Sequence, residues 1–255
     1  MRKHRTAHYA VDISEDRGVR YLHIGSDWIQ GAMRIARPHA LELTYTREMM
    51  FGLLLTPPSE WPRQLLQIGL GAGSLARYIH RHLPQARQTI AEINPQVEMV
   101  ARQCFKLPDD PRRLRVHLGC GGEYLLASDK MFDWIMVDGF DTEGRMGLLE
   151  TLPFLQLART RLNSPGLFCV NLLGRDRGFG EIVSRLRQAF AEQVLVLPAC
   201  ESGNVIVFAH AGSINQYSWT ELAERAEALA ETTGLDLRPS LQRLQASRGG
   251  HHLNF

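Results

Sequence analysis

The stretch Gln64-Leu65-Leu66-Gln67-Ile68-Gly69-Leu70-Gly71-Ala72-Gly73-Ser74-Leu75 decides how this chain folds. A short apolar run enters three glycines at every second position, and a helical pattern from Ser74 to His82 leaves them. Glycine lets the backbone turn tightly and come close to a ligand, and the first amides of the helix are free donors. The next strand pattern, Thr89 to Ile93, carries Glu92, 23 residues after Gly69. An acid there accepts both ribose hydroxyls of a nucleoside, or else caps the helix that begins at Pro95. A dinucleotide fingerprint would ask for glycine at Ser74. The Gly-x-Gly-x-Gly spacing suits an adenosylmethionine-type site, which has no pyrophosphate to cradle.

Outward from this stretch, strand and helix patterns alternate. Strands are expected at 65–68, 89–93, 114–118, 134–137 and 167–172, with helices at 74–82, 95–105, 123–127, 148–162 and 180–191. That alternation predicts a parallel sheet covered on both faces. Two more strands, 194–197 and 205–209, are joined by only Pro198 to Asn204, too short for a parallel crossover, so they form an antiparallel hairpin. The fold class is therefore α/β, a class I methyltransferase-like, mostly parallel seven-stranded sheet rather than a nicotinamide dehydrogenase. Upstream, 9–13 and 19–24 flank a turn-like Ser14 to Gly18, a third strand is expected at 28–34, and a helix at 42–55 ends at Pro57-Pro58. The expected organisation is an N-terminal β-hairpin region over 1–45, a nucleoside-binding domain over 46–215, and a C-terminal helix (218–232) with a loose tail from Gly249 over 216–255.

With 22% charged and 44% hydrophobic residues, the chain has globular composition, so wholesale disorder is excluded. Its net charge of +2 lacks the basic field of a generic nucleic-acid binder. Cys104, Cys120, Cys169 and Cys200 are too dispersed for a zinc ribbon or a redox pair, and no metal site is expected. The basic start Met1-Arg2-Lys3-His4-Arg5 precedes no apolar segment, and no run reaches membrane-span length, so a cytoplasmic protein without membrane contact is expected. His80 and His82 point to different helix faces, and Arg112, Arg113 and Arg115 read as solvated surface.

Chemistry concentrates in Asp133-Trp134-Ile135-Met136-Val137-Asp138-Gly139-Phe140-Asp141. Asp138 and Asp141 follow a buried strand, at the sheet edge where α/β proteins bind ligands. Two close carboxylates bind a cationic amine, and one of them can accept a proton.

On these residues the chain resembles the polyamine aminopropyltransferase (spermidine/spermine synthase) family over roughly residues 18–210. The matching segments are Ile68 to Ser74, Ala91-Glu92-Ile93-Asn94, Pro111-Arg112-Arg113-Leu114 running to Gly119-Cys120-Gly121, Asp138-Gly139-Phe140-Asp141-Thr142, and Gly166 to Leu172. The resemblance implies transfer of an aminopropyl group from decarboxylated S-adenosylmethionine to an amine such as putrescine, releasing methylthioadenosine. It implies a nucleoside site of Gly69, Leu70, Gly71, Ala72, Gly73, Glu92, Ile93, Cys120, Gly121 and Asp138. It makes Asp141 the base and amine anchor with Asp138 beside it, gives Tyr45 to the amine, and suggests a homodimer by analogy. The chain departs from the family pattern at Ala72, Asn94 and Cys120, where the family has acids, and at Thr46-Arg47, where it has His-Glu. An inward Arg47 would repel a polyamine. A methyltransferase using S-adenosylmethionine and a non-catalytic nucleoside-binding paralogue are the alternatives.

Overall fold

The computed structural model describes residues 10–56, 62–140, 145–175, 178–212, 216–250 and 252–253. Tyr9, Pro57-Pro58, Asp141, Thr142 and His251 fall outside these residues.

Strands β1 (Val11–Asp16), β2 (Val19–Ile24) and β3 (Ile29–Arg34) form an antiparallel three-stranded sheet. The expected five-residue turn narrows to Arg17-Gly18, since Asp16 already pairs with Val19. Helix α1 (Thr44–Met49) runs into a 3-10 turn, Met50–Leu53. The expected boundary at residue 45 thus lies inside a helix. The helical stripe breaks where Met49, Met50 and Phe51 are all fully buried.

The main body follows as β4 (Gln64–Ile68), α2 (Ser74–His82), β5 (Arg87–Glu92), α3 (Pro95–Cys104), β6 (Leu114–Leu118), α4 (Gly121–Ala127), β7 (Phe132–Val137), α5 (Leu152–Thr160), β8 (Leu162–Leu173), α6 (Phe179–Phe190), β9 (Val194–Val196) and β10 (Asn204–Ala211). The seven strands lie in the order β6-β5-β4-β7-β8-β10-β9. Pairings from β6 through β8 are parallel, and β10 runs antiparallel to both neighbours. This is the expected mostly parallel sheet with its antiparallel hairpin.

Both sheet faces are buried, so side chains alternate between two cores rather than between core and water. Leu65, Trp134, Met136, Leu167 and Phe208 pack with α1 and the C-terminal helices on one face. Leu66, Ile68, Ile135, Val137 and Phe168 pack with α5 and α6 on the other. By this alternation Gln67 shares Leu65's face, the one toward α1.

The C-terminal region departs from expectation. It holds β11 (Tyr217–Ser218), two helices, α7 (Trp219–Thr233) and α8 (Arg238–Arg248), and β12 (His252–Leu253). His252–Leu253 of the expected loose tail are tied down, because β12 pairs with β11 and Leu253 is buried. Leu237, Leu241 and Leu244 supply a buried stripe at helical spacing, diluted in sequence by Arg, Gln and Ser. Helix α8 locks onto α1 through Arg243 and Ser240, both bonded to the fully buried Glu48 carboxylate. No helix among the described residues is long and apolar enough to cross a membrane.

Candidate active site

The strand order reverses between β4 and its neighbours β5 and β7, which opens a crevice at their carboxyl ends. The glycine loop leaves β4 there. Gly69 has φ +93°, and a Cβ on it would collide with the Asp138 carbonyl, so this position needs glycine. The loop is stitched to its neighbours by Gly69 N–H to Ala91 O (2.9 Å) and Asp138 N–H to Ile68 O (2.8 Å).

Two further elements hold the loop. From above, β3 presses Gly31 against it so closely that a Cβ there would lie 2.5 Å from Ala72 Cβ, while Ser74 Oγ donates to Ala32 O (3.0 Å). Beneath it, Arg77 is fully buried and donates to the carbonyls of Pro38 (2.7 Å), Phe105 (2.8 Å) and Ala72. Burial brings this guanidinium down to about 9. Carbonyl oxygens, rather than a carboxylate, satisfy it.

Glu92 is 7% exposed and faces this loop. Its Oε1 accepts from Asn94 N–H and its Oε2 from Leu70 N–H, both at 2.8 Å, with the Ile93 and Gly71 amides close behind. Burial raises its affinity for a proton, and these amides oppose that rise. It does not cap α3. Asn94 does, its side chain accepting from Gln96 N–H at 3.0 Å.

Asp138 follows β7 and is held by side chains instead. Asn171 Nδ2 donates to its Oδ1 (2.9 Å), and the Tyr45 hydroxyl donates to it from α1. Behind Asn171, Asn204 Nδ2 donates to Asn171 Oδ1 (2.9 Å), and Ser202 Oγ donates to Asn204 Oδ1 (2.6 Å). Every bond in this chain points its proton toward Asp138. Burial pushes the Asp138 carboxyl up from its ordinary range, and the Asn171 and Tyr45 donors pull it back. The Tyr45 phenol is raised well above its ordinary value by burial and by Asp138.

Tyr45, Leu70, Gly71, Ala72 and Asp138 line one narrow cavity, joined by Gln67. Ile93, Cys120 and Gly121 stand at the neighbouring ends of β5 and β6, outside this cavity. Ile93 is half exposed, and Gly121 packs on Ile68. Phe140 is partly buried and packs against the core on the α5–α6 face. Arg47 points outward, donating to Glu42 O at 2.9 Å, so the feared cation is absent from the cleft. Arg113 is not simply solvated. It donates to the carbonyls of His80 (3.0 Å) and Leu83 (2.9 Å) at the end of α2. An open depression on the outer surface of α5 and α6, lined by Gln156, Arg159 and Gln188, carries none of this chemistry.

Sequence reasoning passed over Gln67, Arg77 and Asn171. Their signal was a polar residue inside an apolar strand or helix pattern, as in Leu66-Gln67-Ile68 and Val170-Asn171-Leu172, where burial demands a partner.

The fold and this edge define a class I methyltransferase-type α/β domain with its polar chemistry at the glycine loop and Asp138. More narrowly, the chain belongs to the spermine/spermidine synthase family, whose domain model matches residues 42–195. A polyamine aminopropyltransferase of Neisseria meningitidis is 39% identical over 245 residues, covering 96% of this chain and 92% of that protein. Among solved structures, human methyltransferase-like protein 13 in complex with SAH is 28% identical with TM-score 0.67, covering 75% of this chain and 93% of that one. A probable spermidine synthase of Corynebacterium glutamicum shares the fold at TM-score 0.74 and 18% identity, covering 90% of each chain.

Proposed function

We propose that this chain is an aminopropyltransferase that uses decarboxylated S-adenosylmethionine and an amine such as putrescine. The observation that carries this reading is that one cavity is lined by the glycine loop and by the Tyr45–Asp138 pair, so that donor and proton acceptor share a site. The glycine loop and Glu92 hold the nucleoside, with ribose hydroxyls exchanging for loop amides at Glu92 Oε2. Ile93, Cys120 and Gly121 border the adenine.

The reacting amine must be neutral. Asp138, rather than the Asp141 that the resemblance implies, takes its proton, since Asp138 lines the cavity and its burial favours the protonated form. The amine lone pair then attacks the propyl carbon bonded to the sulfonium. The carbon–sulfur bond breaks, its electrons neutralise the sulfur, and methylthioadenosine leaves. Tyr45 orients the Asp138 carboxylate. Asp141, the second carboxylate of the pair, anchors the cationic amine. Holding both reactants in line supplies the remainder of the rate.

Thermal melting with methylthioadenosine, S-adenosylmethionine and its decarboxylated form tests the reading. A ligand at about 100 times its Kd stabilises by roughly 2.7 kcal/mol. Methylthioadenosine and the decarboxylated donor should both raise Tm. A shift with S-adenosylmethionine alone would favour methyl transfer, and no shift with any of the three would remove both activities.

A further inference from the structure

Gln67 is 2% exposed, lies inside strand β4 and lines the cavity that holds Tyr45 and Asp138. Its Nε2 donates to Gly69 O at 2.6 Å. A carbonyl accepts only from the amide nitrogen, so this bond fixes which end of the side chain is which. The other end, Oε1, is buried and has no hydrogen-bond partner among the described residues. A buried amide oxygen without a donor is costly, and such groups call for a water, an ion or a ligand as partner.

The surroundings define what that oxygen can receive. It is an acceptor, so the ligand atom must be a donor. Among the described residues the cavity wall includes Asp138 and no Lys, Arg or His, which favours a cation. Leu70 and Gly71 of the nucleoside-holding loop lie on the same wall, which places the donor's side chain here. The Ala72 side chain is only a methyl group, packed against Gly31, and its carbonyl is already taken by Arg77, so this point of the loop offers no side-chain acceptor.

We infer that Gln67 Oε1 is the acceptor for the primary ammonium of the donor's aminopropyl chain, supplying from the strand what Ala72 does not supply from the loop. This rests on the aminopropyl-transfer reading and deepens it: the site recognises an ammonium-bearing sulfonium nucleoside through a neutral amide oxygen.

Calorimetry with two ligands isolates the contact. Methylthioadenosine lacks the ammonium, and decarboxylated S-adenosylmethionine carries it. Gln67→Leu should weaken the decarboxylated donor at least tenfold and change methylthioadenosine less than twofold. Gln67→Glu, which keeps an acceptor oxygen, should recover affinity for the donor. Equal losses for both ligands in Gln67→Leu would mean that Gln67 only supports the loop through Gly69. An unchanged donor affinity, or a defect confined to the KM of the amine acceptor, would also overturn the assignment. Wild-type protein that binds neither ligand would overturn the aminopropyl reading itself, a result distinct from any of these.

Discussion

Glu92 and Asp138 stand at the ends of two strands of the same sheet edge, and the fold satisfies them in opposite ways. Glu92 is saturated by backbone amides from its own turn and the glycine loop. Asp138 is held by side chains from two distant elements, Tyr45 on α1 and Asn171 on β8, the latter backed by Asn204 and Ser202. Backbone amides tie Glu92 to its turn and to the glycine loop, and in the proposed function ribose hydroxyls take the place of the loop amides at its Oε2. Side-chain donors can be changed one at a time, so the proton affinity of Asp138 is adjustable. On the proposed function, the Glu92 side of the edge holds position and the Asp138 side takes up the proton.

The largest break in this contrast should come from Asp138→Asn. Loss of the proton acceptor should lower kcat by about 10²–10⁴-fold. Methylthioadenosine affinity should stay within twofold in calorimetry, because Glu92 and the loop are untouched. A third buried carboxylate, Glu48, sharpens the comparison because an ion pair with Arg243 holds one of its oxygens. Arg243→Met strands that charge and should cost about 3 kcal/mol, seen as a Tm lowered by roughly 6–12 °C. The sign of its pH dependence follows from burial, which raises Glu48 in the folded state. Removing Arg243 raises it further, so the variant's deficit should shrink on acidification, as the carboxyl becomes neutral, and grow as pH rises. Melts at several pH values read this directly.

Glu92→Gln keeps the shape but loses charge-assisted bonds, each worth roughly 1.5–3 kcal/mol. Methylthioadenosine should bind about 10–100-fold more weakly, with little change in the kcat of saturated enzyme. The smallest effect belongs to Asn171→Ala. Its amide favours ionised Asp138, so its loss raises that carboxyl further and moves the acid limb of the kcat/KM profile to higher pH. At neutral pH the loss should be about tenfold.

How legible this was in the sequence differs between the same two regions. The glycine turn and its link to Glu92 could be read from Gly69, Gly71, Gly73 and Glu92, because loop, strand and acid are close along the chain and their spacing is set by local geometry. The parallel sheet and its closing hairpin followed from strand periodicity and from the short Pro198–Asn204 link. The polar chain around Asp138 was legible only in part. Asp138 stood out as an acid after an apolar strand, but Asn171 and Asn204 reach it through strand pairing, which periodicity does not encode. The C-terminal helix pair was also hidden, because Leu237, Leu241 and Leu244 are scattered among polar residues, and nothing local to Glu48 announces its pairing with Arg243, 195 residues away.

The central claim, that donor and proton acceptor share one cavity for aminopropyl transfer, is tested most directly by product analysis. Purified protein with decarboxylated S-adenosylmethionine and putrescine should yield spermidine and methylthioadenosine in equal amounts by mass spectrometry, with none from Asp138→Asn above a hundredth of the wild-type rate. Methylated product from S-adenosylmethionine, with no methylthioadenosine from the decarboxylated donor, would contradict it.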